Sequence, residues 1–512
     1  MKRGWKILIA IGLIMIAGLL VSIVHHYRLR GATEAYIAEL KAQGEPMDLA
    51  QVMPPSVPPD QNGADTFRKA AALFKADQSL LSTNVYNSMR MVAPGKAMVC
   101  FQQPAAVDYD VTNTWEELAG AVAGNKDSFE LLDQIVDRPT LDFGIHYEKG
   151  VWNLDFTNLY LSEVKQAALR LHVAGLSDLH RGDGASAAKD VRSMLALVKG
   201  MREERLVISE LVRIAIANIA LPVNWELLQS TNVTDEQLAA LQNDWASLEF
   251  IRAEENALEL ERAAGRITVQ KWRSSNAELG HYFQLDQPEI PWATWPKPSA
   301  LNRFRLMSRI IRWRYWWSYP DELRALEGYQ ALLEAPRADQ TNHALLSIQN
   351  DLKSKVTKLS IPADSGEYFG LSDPMKADTH FLLSGSVLTL EKTFPRIVKA
   401  ETASQLTIGA IALKRYHMKH GEYPASLVML VPEFVAKVPR DPIDGQPLRY
   451  RPNPDGTFLL YSIGDDGKDD GGDPASSDPN KTSLWWQSGR DWVWPQPATR
   501  EEIQNYYDNP PK

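Results

Sequence analysis

Residues Ile7 to Val24 read ILIAIGLIMIAGLLVSIV, 18 residues without a charge. At about 1.5 Å of rise per residue, a helix over this run covers about 27 Å, close to the hydrocarbon thickness of a bilayer. Such a segment has no polar face to turn towards water, so it is not an ordinary surface helix. A secretory signal peptide is the competing reading. Its apolar core is usually about 7 to 15 residues long and ends at a small-x-small cleavage site, and neither condition fits this run well. No cysteine follows the run directly, which speaks against lipoprotein processing. Residues 1–30 are therefore expected to be a short cytoplasmic tip and an uncleaved transmembrane anchor. Lys2, Arg3 and Lys6 precede the run, while Arg28 and Arg30 follow it, a slight excess that favours the N-terminus inside. Nothing else in the sequence reads as a second span. The expectation is a single-pass protein of a bacterial inner membrane with the bulk of the chain in the periplasm.

A chain of 512 residues exceeds the size at which one core usually stops growing, so two or three domains are expected. With 44% hydrophobic and 23% charged residues, most of it should fold. The formal net charge is −9, and the first thirty residues hold five basic and no acidic side chains, which leaves −14 on residues 31–512. An acidic surface repels phosphate backbones, so nucleic acid is excluded as an expected partner, while cations and basic protein faces remain. Cys100 is the only cysteine, which rules out an intramolecular disulfide and a multi-cysteine zinc site. Its apolar neighbours, Met98 to Phe101, read as a buried small hydrophobe rather than a nucleophile.

Residues 31–62 read as a Pro-rich linker region, with four prolines in Met53 to Asn62 expected to form an extended spacer between membrane and folded body. Residues 63–395 read as a helical ectodomain. Leu161, Val164, Ala168, Leu171, Gly175 and Leu179 repeat at three and four, giving a helix that ends near Arg181-Gly182-Asp183-Gly184. A second helix carries Ala187, Val191, Met194, Leu195 and Val198. A third starts near Arg205 and is expected to run to Pro222. These three should stack antiparallel. Thr234 and Gln237 have capping-box spacing and open another helix, expected to run on past the charge-rich segment Arg252 to Arg262, which reads as a solvated face. Gln287 to Pro298, with Trp292 and Trp295, reads as a loop. Trp313, Tyr315, Trp316, Trp317 and Tyr319, interleaved with Arg312 and Arg314, read first as core packing with snorkelling arginines and second as a sugar platform.

Residues 396–500 form a separate α+β unit in this reading, followed by a tail at 501–512. A helical stripe over Leu406, Ala410, Leu413 and Tyr416 stops at Gly421, and two strand-like runs, Leu448 to Arg451 and Thr457 to Ile463, flank Pro452-Asn453-Pro454-Asp455-Gly456, a hairpin signal. A helix packed on a small antiparallel sheet results. The next segment, GDDGKDDGGDPASSD, holds Asp465, Asp466, Asp469, Asp470, Asp473 and Asp478 with glycines between them. By composition it is either a solvated acidic linker or a calcium loop, since calcium takes six to eight oxygens in flexible geometry.

Four ordered motifs, Ala412-Leu413-x-x-Tyr416, Gly421-x-Tyr423-Pro424, Asp441-Pro442-x-x-Gly445-x-Pro447-x-x-Tyr450 and Tyr461-Ser462-x-Gly464-x-Asp466-Gly467, resemble the head of the type II secretion major pseudopilin. The resemblance covers about ninety residues, Thr402 to Trp494. It implies a structural calcium ion held by Asp466, the carbonyl of Ile463 and a later carboxylate, Asp473 or else Asp469 or Asp470, with Trp492 and Trp494 packed nearby. Two departures limit it. A prepilin carries a glutamate five residues after its cleavage glycine, whereas the fifth residue after Gly4 is Ile9, and more than three hundred residues separate the span from the pilin-like unit. The whole layout also resembles large anchored envelope proteins of planctomycetes and verrucomicrobia, a likeness that implies no activity.

No phosphate loop, HExxH, GxSxG or zinc spacing occurs. His417 with His420 and the Arg181-Gly182-Asp183 tripeptide read as ordinary helix-end and turn features, while His172 and His180, eight apart on one helix, are too distant to share a metal unaided and have no adjacent serine or cysteine to suggest a triad. The expected function is a non-enzymatic membrane-anchored scaffold or secretion-associated protein that binds other envelope proteins. The alternatives are a periplasmic carbohydrate-binding protein or hydrolase using the aromatics near Trp313, and a divergent pseudopilin.

Overall fold

The computed structural model describes residues 2–74, 87–108, 111–138, 140–150, 160–285, 300–342, 345–359, 381–476 and 486–509. Trp292, Trp295 and Asp478 lie outside them. The molecule is mostly helical, with a long N-terminal apolar helix and three small sheets among the described residues.

The first helix, α1 (Lys2–Ala42), does not stop where the apolar run ends. Its apolar part is exposed, from Ile9 to Val24, whereas Tyr36, Ile37 and Leu40 pack with Met47 against Leu326. The expectation of a linker over 31–62 is thereby corrected. Residues 31–42 continue the helix, and Gly44 (φ +87°) turns the chain into a short helix α2 (Leu49–Val52). The reason is a charge cluster that the sequence does not announce. Glu45 accepts hydrogen bonds from Arg262 Nη2 at 2.8 Å, Arg337 Nη1 at 2.5 Å and Gln330 Nε2 at 3.2 Å, and Arg337 also reaches Glu255 and Glu259. The proline segment ends on Asn62, whose side chain accepts from the Ala64 and Asp142 amides and donates to the Asp142 carbonyl.

The body begins with α3 (Ala64–Leu73), a hairpin of β1 (Arg90–Ala93) and β2 (Lys96–Met98) turned at Gly95, and a smaller hairpin of β3 (Ala106–Asp108) and β4 (Val111–Asn113). Helices α4 (Trp115–Ala123) and α5 (Lys126–Asp133) follow, the first opened by a Thr114/Glu117 capping box. Helices α6 (Tyr160–His180), α7 (Gly184–Gly200) and α8 (Val207–Gln229) pack on one another as the apolar stripes predict. Gly184 is required at the start of α7, because a Cβ there would stand 1.9 Å from the carbonyl oxygen of Asn232.

Pro222 does not end the third helix. Seven further residues of α8 follow it, and the surrounding elements bury both the proline and the residues on either side of it. By length and hydropathy α8 also meets the measure of a membrane span, contrary to the sequence reading, but 72% of that window is buried inside the body. It is the core helix of the fold.

Helix α9 (Asp235–Ala246) opens on the Thr234/Gln237 box, with Gln237 N donating to Thr234 Oγ1 at 3.3 Å, but it ends short of the run expected past Arg262, and Glu254, Glu261 and Arg262 are buried rather than on a solvated face. Then come α10 (Phe250–Ser274), α11 (Asn276–Leu285), α12 (Ala300–Arg312), a π-turn at Trp313–Trp317, α13 (Ser318–Asn342), α14 (Leu345–Leu359), α15 (Leu382–Thr389) and α16 (Phe394–His420). Helix α16 packs on the antiparallel sheet of β5 (Arg449–Pro452), β6 (Phe458–Ser462) and β7 (Trp492–Val493), and along its length it also meets α8, α9 and α10. Strand β8 (Gln496–Pro497) pairs in parallel with β2, and Trp225 Nε1 of α8 donates to the Pro495 carbonyl at 2.9 Å. One hydrophobic core therefore runs from Phe67 to Trp494, across the boundary expected at residue 396. The expected tail contains a helix, α17 (Arg500–Asp508), which lays Tyr506 and Tyr507 on Arg90 and Met98.

Burial pushes the Glu45 carboxyl up, but hydrogen bonds from Arg337 and Arg262 outweigh it and hold the group at about 2. Glu45→Ala would leave Arg262 buried without its carboxylate, and removing one partner of a buried ion pair typically costs about 3–5 kcal/mol. Urea unfolding of the full chain in detergent should show a loss of that order. Because the folded value is depressed, the contribution of Glu45 is complete above the unfolded value near 4.5 and is lost as the pH falls towards 2. The gap between wild type and Glu45→Ala should narrow over that window.

Candidate metal loop and buried carboxylates

The Asp-rich loop hangs between β6 and β7, and Asp441 fixes its first residue. Asp441 is fully buried. It accepts from the Ile443 amide at 3.0 Å, the Ser462 hydroxyl at 2.8 Å and the Ile463 amide at 3.0 Å, with Arg449 at 3.3 Å. The Asp-Pro turn is thus tied to the end of β6. Gly464 (φ +68°) follows, and no larger residue fits there, because a Cβ would stand 2.5 Å from the carbonyl oxygen of Arg490.

The expected ligands are distributed as follows. Ile463 is buried at the strand end. Asp466 is exposed and accepts the Lys468 amide. Asp469 accepts the Tyr461 hydroxyl at 2.9 Å and lies 3.6 Å from Arg449. Asp470 is exposed, and Asp473 accepts the Ala475 amide while pairing with Arg490 at 3.1 Å. Among the described residues no three His, Cys, Asp or Glu side chains converge into a metal-holding group.

The sequence reading missed Asp491. It precedes β7, is fully buried, and accepts the Gly472 amide at 2.7 Å and the Asp473 amide at 3.1 Å through Oδ2. Its other oxygen, Oδ1, is buried and has no hydrogen-bond partner. Burial pushes its carboxyl up, and the charge of Asp469 adds to the effect. A buried acceptor without a donor is costly. The carboxylate oxygens of Asp469 and Asp491 are the kind of donor that calcium prefers, while the backbone groups at Asp491 are the Gly472 and Asp473 amides. The buried oxygen left open beside the loop is thus Asp491 Oδ1 rather than a carboxylate oxygen of the exposed Asp466. The only sequence signal is an aspartate set against the apolar Trp492-Val493-Trp494, eighteen residues from the Asp473 amide it accepts.

The aromatic cluster is divided. Trp313 is buried, donates its Nε1–H to Asp321 Oδ2 at 3.3 Å and stands edge-on to Trp272. It offers no sugar a face. Asp321 is buried as well and accepts the Leu382, Leu383 and Ser384 amides, capping α15 from a distant helix. Tyr315 and Trp316 are exposed and lie against His26 and His25 of α1.

The remaining sequence candidates sit in structural roles. Gly182 (φ +77°) turns the chain between α6 and α7, Arg181 pairs with Asp178, and Asp183 caps α7. His420 and His417 lie against Tyr416 and Tyr423. His180 stacks on Trp115 at 4.4 Å. His172 acquires a serine that its sequence neighbourhood lacks: Ser88 Oγ is 3.1 Å from Nε2, and Nδ1 is 2.9 Å from the Ile219 carbonyl. Both side chains are buried, and burial lowers the imidazole to about 4, so the ring is neutral at pH 7. Cys100 is buried and its thiol is pushed up by burial.

Helix α8 and its neighbours also enclose a set of carboxylates. Glu204 accepts from Ser209 and Tyr160, Glu210 pairs with Arg213, Glu261 caps the Val207 amide, and Glu226 accepts the Met89 and Cys100 amides at 2.9 Å. Burial raises Glu204 and Glu226 to about 8 and Glu210 and Glu261 to about 7. Compared with known protein families, with curated proteins and with solved structures, the chain matches none of them.

Raised carboxylates make folding take up protons between the unfolded values near 4.5 and the folded values near 7 to 8, so stability falls as pH rises through that window. Glu226→Gln removes one such titration while keeping an acceptor for the Met89 and Cys100 amides. Its unfolding free energy, followed from about pH 5 to pH 8, should decline less steeply than that of the wild type, the two slopes differing by up to about 1.4 kcal/mol for each step of one in pH.

Proposed function

We propose that the protein is a membrane-anchored scaffold of the bacterial envelope, without catalysis, whose helical body holds other envelope or secretion proteins and whose C-terminal lobe is stabilised by calcium. The observation that carries this reading is the continuity of α1. The apolar run, a membrane anchor or signal segment by its length and hydropathy, passes without a break into residues that dock on α13 and close the Glu45 cluster. A signal segment removed after Val24 would leave these contacts hanging from a free end, so the docking supports an anchor that is retained. The body then stands at a fixed position on the membrane, which suits a platform for partners. A filament subunit is less well supported. Helix α16, which corresponds to the head helix of the resemblance, is embedded among α8, α9 and α10 instead of continuing from the span.

Topology tests the placement. In Val428→Cys, at an exposed site of the C-terminal lobe, a membrane-impermeant maleimide applied to spheroplasts should label the protein, with buried Cys100 silent. Labelling only after the membrane is opened would place the bulk in the cytoplasm and overturn the reading. Calcium is tested by melting. Excess calcium over chelator should raise the melting temperature of the full chain, by about 2.7 kcal/mol of stabilisation at a hundredfold excess over the dissociation constant. Asp491→Asn should lose that rise, while Asp466→Ala should keep most of it.

A further inference from the structure

Helix α12 is apolar on two sides. Its inner side carries Leu306 and Ile310 into the core, with Trp313 one turn on. Its outer side carries Phe304, Met307 and Ile311, at spacings of three and four, and the stripe is continued through the π-turn by Tyr315 and Trp316. These outer residues are 41% to 71% exposed. A folded protein seldom leaves such a stripe in water unless something covers it.

The position of the stripe says what covers it. Its end meets α1 at His25 and His26, the two residues that follow the apolar run: the rings of Trp316 and His25 are 5.7 Å apart, those of Tyr315 and His26 5.9 Å, and His26 Nδ1 lies 2.8 Å from the Tyr315 carbonyl. The exposed surface of the span and the exposed stripe of α12 are thus continuous, with Tyr and Trp at the join, the residues enriched where a bilayer meets water. The sequence of α12, ALNRFRLMSRIIR, is rich in arginine and has no carboxylate, although the chain as a whole is acidic. An apolar stripe on a basic helix is the pattern of an element lying in the interface of an anionic membrane.

We propose that the outer face of α12 and the π-turn lies in the headgroup and acyl-chain boundary of the bilayer beside the anchor, as a second membrane contact that fixes the tilt of the body. The proposal rests on the reading of α1 as a membrane anchor. The test uses the full chain in phosphatidylcholine and phosphatidylglycerol vesicles that contain a spin-labelled quencher lipid. Single cysteines at Phe304→Cys, Ile311→Cys, Ile14→Cys and Val428→Cys carry an environment-sensitive fluorophore, and buried Cys100 stays unlabelled. The expected result is loss of fluorescence at 304 and 311 as well as at 14, and none at 428. Quenching at 14 without quenching at 304 and 311 overturns the interfacial contact and leaves the anchor standing. Absence of quenching at 14 removes the anchor reading and this proposal with it. Quenching at 428 too shows the body lying on lipid generally and overturns a contact specific to α12.

Discussion

From Ile219 to Leu228 helix α8 is buried without interruption, and the rest of the structure is arranged to meet its needs. A helix that carries Arg213, Asn224 and Glu226 into a core is stable there only if its polar groups find partners, and of these three side chains only Asn224 Nδ2 lacks one. Arg213, with no exposed surface, donates to the Val198 and Leu248 carbonyls at 2.7 Å and pairs with Glu210, so it ties α8 to the end of α7 and to the chain leading into α10. Asn224 accepts from Trp245, Trp225 reaches Pro495, and Glu226 holds the amides that shape the β1–β2 hairpin. Through these few side chains one helix fixes elements from both ends of the sequence. That is why the C-terminal lobe shares a core with the helical body.

Glu45 has the same relation to α1. Its carboxylate gathers Arg262 of α10 with Arg337 and Gln330 of α13, and Thr33 Oγ1, nearer the apolar run, donates to the Tyr319 carbonyl at 3.2 Å. The desolvation of these charges is offset by mutual hydrogen bonding rather than by water, so α1 has a defined seat instead of a sliding one.

The periodic parts of the fold were legible in the sequence. The stripes of α6 and α7, the Thr234 cap and the Asp455-Gly456 hairpin follow from local rules of spacing and turn chemistry, and each forms where those rules place it. What local rules could not supply are the long-range pairings. Pro222 reads as a helix stop because its missing amide is a local cost, and only the packing around α8 shows that the cost is met. Residues 31–42 read as linker because the residues that seat them, Glu45 with Arg262 and Arg337, are far apart in sequence. The candidate site divides in the same way. The acidic loop was visible by composition, yet Asp491, whose Oδ1 is the buried orphan acceptor beside it, comes from the approach to the next strand. The Ser88–His172 pair was invisible for the same reason.

The seating of α1 changes what an anchor does. Helices α1 and α13 run in the same direction along their contact: His26 meets Tyr315 and Tyr319, Thr33 meets Tyr319, Leu40 meets Leu326, and Glu45 meets Gln330 and Arg337. About twenty residues of chain from His26 onward, some 30 Å if all helical, are therefore held at both ends. A tether joined by an extended linker leaves a body free to rotate above the membrane and to sample partners at all angles. A helix clamped over this length fixes the direction of its apolar run relative to the body. The acidic C-terminal loop, on the sheet packed against α16, then keeps one orientation relative to that run.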